Sequence, residues 1–60
     1  MDNGITLVIT KKGYLGEIVK ENVKHFSFAT AGLYKDILVI HYMNGKTEKI
    51  FEVTSFYLEP

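Results

Sequence analysis

His25 and His41 are the only imidazoles in this sequence, and imidazole is the side chain whose ordinary titration range spans neutral pH. They bound whatever acid–base or metal chemistry the chain could support. A strand pairing that sets His41 opposite Glu48 would give the ring a carboxylate able to orient it as a proton carrier or ligand. A metal would need a further ligand, from His25, Glu17 or Glu52, and nothing in their spacing brings these together. A cross-strand His41–Glu48 pair on a half-exposed face is the simpler reading. Ser27 stands two residues from His25, which places both on one face of a strand, but that separation is common by coincidence. Cysteine is absent, so there is no thiolate nucleophile, thiolate metal site or disulfide. Lys12-Gly13-Tyr14-Leu15-Gly16-Glu17 holds two glycines but matches neither the P-loop nor the dinucleotide-binding spacing, and turn or strand-bend duty accounts for both. Catalytic acid–base pairs also need a cleft that excludes water, which a sheet of this size rarely makes alone. The sequence therefore assigns no catalytic residue, no metal ligand set and no cofactor, and it predicts a non-enzymatic protein.

The aromatic residues are the richer set: four Phe and four Tyr, several beside lysines, as in Lys24 near Phe26, Lys35 after Tyr34 and Lys49 near Phe51. Small barrels that hold single-stranded nucleic acid combine aromatic stacking platforms with a basic groove. Tyr14, Tyr34, Lys11, Lys12 and Lys24 are the residues for such a site, with Lys20 extending the lysine stripe. Against it, the formal net charge is zero, so no global attraction draws the chain to a polyanion. All seven basic residues other than histidine are lysine, which removes the bidentate guanidinium used to read guanine. Lysine without arginine is also what AT-biased codon usage produces. The alternative assignment for the aromatics is four core Phe and four rim Tyr with wet hydroxyls.

The elements that position these residues are predicted to be strands. With 60 residues the chain is one domain, 1–60, with a marginal core; the 47% hydrophobic content argues against disorder. Asn44-Gly45 lies between two β-rich runs, the strongest short-range hairpin signal, because a type I′ turn needs positive φ at both central residues. A two-residue loop there pairs Met43 with Lys46, Tyr42 with Thr47, His41 with Glu48, Ile40 with Lys49, Val39 with Ile50 and Leu38 with Phe51. Opposed residues share a face. One face then carries Leu38, Ile40, Tyr42, Phe51 and Val53, the better core face. The other carries Ile37, Val39, His41, Met43 and Ile50, with Glu48 and Glu52 beside them. Ile5 to Thr10 reads as a first strand, followed by a turn at Lys11-Lys12-Gly13. Residues 14–26 are ambiguous: Leu15, Ile18, Val19, Asn22, Val23 and Phe26 follow helical spacing, yet the segment has no good N-cap and runs into alternating Phe26-Ser27-Phe28. Two strands, Gly16–Lys20 and Val23–Ala29, with a turn at Glu21-Asn22, are favoured over a short helix around 16–25. Leu33 and Tyr34, in a loop broken by Gly32, are expected to fold back over one end of the core. A last strand carries Phe56 and Leu58, and Pro60 ends it. The predicted fold is all-β, a small antiparallel meander curled into an open barrel-like sheet, with α+β as the alternative.

The second hairpin face is apolar and rimmed by charge, the profile of a protein interface. Ile37, Val39, His41, Met43 and Ile50, with Tyr34 as a loop anchor, are the residues predicted to bind a partner protein or a second copy of the chain. The expected function is a protein-interaction module, an inhibitor or accessory protein of a mobile element by analogy of size and composition, with the single-stranded nucleic-acid-binding barrel as the alternative. No cationic leader precedes the first strand and no apolar run is long enough to span a bilayer, so the expected location is the cytoplasm.

Overall fold

The computed structural model describes residues 4–59. It is all-β, with strands β1 (Ile5–Lys11), β2 (Ile18–Phe28), β3 (Leu38–Tyr42), β4 (Thr47–Ile50) and β5 (Val53–Glu59). They form one antiparallel sheet in the order β4-β3-β2-β1-β5. The first four strands meander, and β5 then pairs with β1, on the far edge from β4. The sheet curls toward closure without closing, as the hydrophobic pattern predicts. Pro60, expected to end the last strand, lies outside the described residues.

β2 is one long strand, where sequence spacing suggests either a helix or two strands around a turn. The reason is two irregularities in its ladders. Its register against β1 shifts between Leu7↔Lys20 and Ile5↔Val23, and against β3 between Val23↔Tyr42 and His25↔His41. Each inserts one extra residue on β2, which bends the strand and resets which side chains point inward. Asn22, at φ 61°, supplies the left-handed residue of the first bulge; asparagine is among the residues that tolerate that conformation best. Its carbonyl still accepts a hydrogen bond, from the Met43 amide at 2.8 Å. The inward residues of β2 are consequently Ile18, Lys20, Val23, Phe26 and Phe28. Two steps of three within a strand imitate the helical period.

The β3–β4 hairpin is also displaced from expectation. Its ladder pairs Leu38 with Ile50, Val39 with Lys49, Ile40 with Glu48 and His41 with Thr47. The Gly45 amide donates to the Tyr42 carbonyl (3.0 Å) and the Tyr42 amide to the Lys46 carbonyl (2.8 Å). Only Gly45, at φ 89°, is left-handed in the loop. This is a three-residue loop, Met43-Asn44-Gly45, of the type I turn plus glycine bulge class, and the Asn44 side chain accepts from the Lys46 amide at 3.0 Å. One extra loop residue slips β4 by one position and exchanges its two faces. Ile50 enters the core and Phe51, expected there, is 53% exposed.

The core is the concave side: Leu7, Ile9, Val23, Leu38, Ile40, Ile50 and Val53, with Ile5, Ile18, Phe26, Phe28, Tyr42 and Phe56 packed against it. Phe56 of β5 meets Phe26 and Phe28 of β2 edge-on, at centroid separations of 5.4 and 5.0 Å, joining strands that do not pair. Val8 is also buried, on the convex side, where the directly opposed Val19 and Tyr57 flank it.

Replacing Ile50 with alanine is expected to lower unfolding free energy by about 2–4 kcal/mol, and Phe51→Ala by less than about 1 kcal/mol. Urea titration followed by circular dichroism measures both. The opposite ranking would restore the two-residue hairpin register.

Candidate functional site

The convex face of β2, β3 and β4 carries the site. On it, Ser27 stands opposite Val39 and His25 opposite His41, with Lys49 and Thr47 beyond them on β4. The long β2–β3 connection returns over one end of this face. It is tied down by the Asp36 amide, which donates to the Ala29 carbonyl at 2.7 Å, and by the Ala29 amide, which donates to Ile37 at 3.2 Å. Between this loop and the strands lies an open groove of about 310 Å³, lined by Ser27, Ala29, Tyr34, Ile37, Val39, Lys49 and Phe51. The lining is mainly apolar. Tyr34 is 71% exposed and Leu33, beside it, is 96% exposed, so this pair stands outward instead of folding over the core as expected.

Of the residues predicted for partner binding, Tyr34, Ile37 and Val39 meet in this groove. His41 and Met43 line a second groove, farther toward the hairpin, together with Lys24, His25, Tyr42, Gly45 and Lys46. Ile50 does not belong to the site: the one-residue slip puts it in the core at 6% exposure. The same slip supplies Phe51 and Lys49, which sequence reasoning misses. Ile50 and Phe51 are consecutive and both apolar, so alternation alone cannot say which faces in.

The histidines are placed differently from expectation. His41 lies opposite Thr47, whose hydroxyl is 3.4 Å from Nδ1, and its ring stacks on His25 with centroids 4.3 Å apart. Glu48 is on the other side of the sheet. There it accepts from the Tyr42 hydroxyl and from Lys20 Nζ at 3.2 Å. Among the described residues no group of three or more histidines and carboxylates gathers at metal-binding distance, and no hydrogen bond joins His25 to Ser27.

The residues of the nucleic-acid alternative are dispersed. Tyr34 lines the apolar groove and Lys24 the histidine groove. Lys11 lines a third groove, with Ile18, Lys20, Glu48, Lys49, Ile50 and Phe51. Tyr14 and Lys12 are exposed in the β1–β2 loop. None of these three grooves holds two of the five, and Lys20 leaves the lysine stripe by turning inward to Glu48.

The Tyr42–Glu48–Lys20 cluster makes stability depend on pH at both extremes. The Glu48 carboxyl is held below its ordinary value of 4.5, first by the Tyr42 hydrogen bond and then by Lys20, against an opposing effect of burial. Its stabilisation is present above that ordinary value and lost as pH falls through the lower folded one. The Tyr42 phenol is pushed up from 10.0 to about 12, by burial first and then by Glu48. Its stabilisation is present below pH 10 and lost as pH rises toward about 12. Urea midpoints across pH should therefore fall at both ends for the wild type. Tyr42→Phe should lessen the alkaline fall, leaving the part owed to Tyr57, whose phenol is also raised, and should weaken the acid one. Parallel profiles for the two proteins would show that the cluster does not couple titration to folding.

No protein-family model matches this sequence, and the comparisons with curated proteins and solved structures found no match to it.

Proposed function

We propose that the chain is a non-enzymatic protein-interaction module whose convex-face groove seats a segment of a partner protein. The observation that carries this reading is the clustering of Tyr34, Ile37, Val39 and Phe51 around one open apolar groove. Aromatic anchors beside aliphatic floor residues are the composition of interface centres. The walls of the groove come from two sources, a sheet face and the β2–β3 loop, which suits it to an extended segment lying along β3.

Self-association is assigned to a different surface, the free edge of β5. The opposite edge, β4, is only four residues long and carries Lys49 and Glu48, both of which discourage strand addition. β5 has seven residues, none of them lysine, and its Tyr57 and Leu58 are half-exposed. An edge of that kind is a template for antiparallel pairing with a second copy. Groove and edge lie on separate parts of the sheet, so one copy can use both.

The groove is tested by photo-crosslinking from a benzophenone side chain placed at Phe51, in the cells that produce the protein. Discrete partner crosslinks are expected, and Val39→Glu should abolish them while leaving the circular dichroism spectrum unchanged. An unfolded Val39→Glu chain would make Val39 a core residue and sink the assignment. Crosslinks that persist in a folded variant would place the partner elsewhere. The edge is tested by light scattering on a sizing column over a hundredfold concentration range. A dimer that Leu58→Lys converts to monomer is expected, and a wild-type monomer throughout would overturn the self-association.

A further inference from the structure

The two grooves along β3 differ in their basic lining, although the chain as a whole is neutral: one lysine, Lys49, lines the apolar groove, and two lysines and two histidines line the other. At the hairpin end, the groove beyond the apolar one is lined by Lys24, His25, His41 and Lys46, with no carboxylate among the described residues that line it. Glu48, the hairpin's acidic residue, is turned to the concave side and occupied by Tyr42 and Lys20. At the loop end, the exposed acids Asp36 and Glu52 flank the groove residues Ile37 and Phe51 in sequence. The two grooves follow one another along β3: Val39 lines one and His41 the other, two residues or about 6–7 Å apart along the same strand.

From this juxtaposition we infer that the partner segment is an extended peptide with apolar side chains at one end and Asp or Glu at the other, its acidic end lying over Lys24, His25, His41 and Lys46. The inference rests on the groove being a peptide site and adds the chemistry and direction of its occupant. From Ile37 to Met43 the face accommodates about six residues at strand spacing, roughly 20 Å. The apolar end fills the groove of Tyr34, Ile37, Val39 and Phe51. The carboxylates meet Lys24 and Lys46 in a lining without a carboxylate among the described residues, and the reverse orientation would bring them to the end where Lys49 is the single lining lysine and Asp36 and Glu52 flank the groove residues in sequence. Electrostatic complementarity of this kind selects partner and register more than it adds affinity.

The test is selection from a random dodecapeptide library displayed on phage, with the immobilised protein as bait. Enriched peptides should carry an apolar cluster followed or preceded at a fixed spacing by Asp or Glu. On a Lys24→Glu, Lys46→Glu bait the apolar cluster should persist while the acidic positions change to Lys or Arg. A synthetic copy of an enriched peptide should bind the charge-reversed protein roughly tenfold more weakly, and its affinity for the wild type should fall with added salt. If charge reversal impairs folding, Lys24→Gln, Lys46→Gln serves instead, and the acidic preference should vanish on it. Apolar enrichment without acidic bias, or an acidic bias unchanged on either variant, overturns the inference and leaves the groove reading standing. Absence of apolar enrichment overturns both.

Discussion

The constraint on which this fold depends is the shortness of the link between β4 and β5. These are the two edge strands of a five-stranded sheet, yet only Phe51 and Glu52 separate them. In a flat sheet, four strand spacings of about 4.8 Å would put the edges roughly 19 Å apart. Three Cα steps from Ile50 to Val53 reach at most about 11 Å. The sheet must therefore curl until its edges approach, and the concave side so formed becomes the core. Glu52 makes the corner at φ 56°, a conformation that strains a non-glycine residue by about 1–3 kcal/mol. Hydrogen bonds offset part of that strain. The Glu52 carbonyl accepts from Lys12, the Asp36 carbonyl accepts from Val53, each at 2.9 Å, and Asp36 is itself left-handed at φ 66°. Two strained corners thus hold each other in place, and through Asp36 they also fix the loop that forms one wall of the candidate site.

Curling places a matching demand on β2, the one strand that must serve both β1 and β3 along its length. A regular strand of eleven residues would carry its inward side chains straight past the curve. The two bulges bend it, and they do so at Asn22 and Lys24, where neither side chain is needed in the core. This explains how much of the fold was legible beforehand. The strands at 5–11 and 38–42 announce themselves because alternation is unbroken there, whereas β5 carries its own register shift and turns both Val53 and Phe56 inward, so the sequence pattern joins Val53 to the hairpin. The stretch 18–28 does not announce itself, since a strand with two phase shifts presents Ile18, Val23 and Phe26 at intervals that a helix also produces. What favoured strand was the clean alternation of Phe26-Ser27-Phe28 after the second bulge, and the absence of a helix cap before the first.

The site was legible to a lesser degree, for a related reason. Ile37, Val39, His41 and Met43 could be grouped from β3 and its flanks alone, because alternation fixes which residues share a side, and Tyr34 joined them only as an apolar loop residue. The contribution of β4 depends on the length of the hairpin loop. Asn44-Gly45 is compatible with a two-residue turn and with a three-residue loop ending in a left-handed glycine, and the two differ by one step of register. The flanking sequence does not arbitrate, because Ile50 and Phe51 offer an apolar residue to the core in either phase. Only burial decides: the β-branched side chain goes into the tight space opposite Leu38, and the larger aromatic ring is left outside.

That exchange has a functional consequence beyond the identity of one core residue. Had the two-residue turn formed, Glu48 would have stood on the convex face opposite His41, where it would oppose the cationic groove, and Phe51 would have been withdrawn from the apolar one. The inserted loop residue moves both changes in the same direction. It takes the hairpin's carboxylate to the concave side, where Tyr42 and Lys20 hold it, and it brings an aromatic ring out to wall the groove. The apolar and basic halves of the convex face thus share a single structural cause, the glycine at position 45 that accepts φ 89°. A β-branched residue there would strain the loop and weaken the preference for this register.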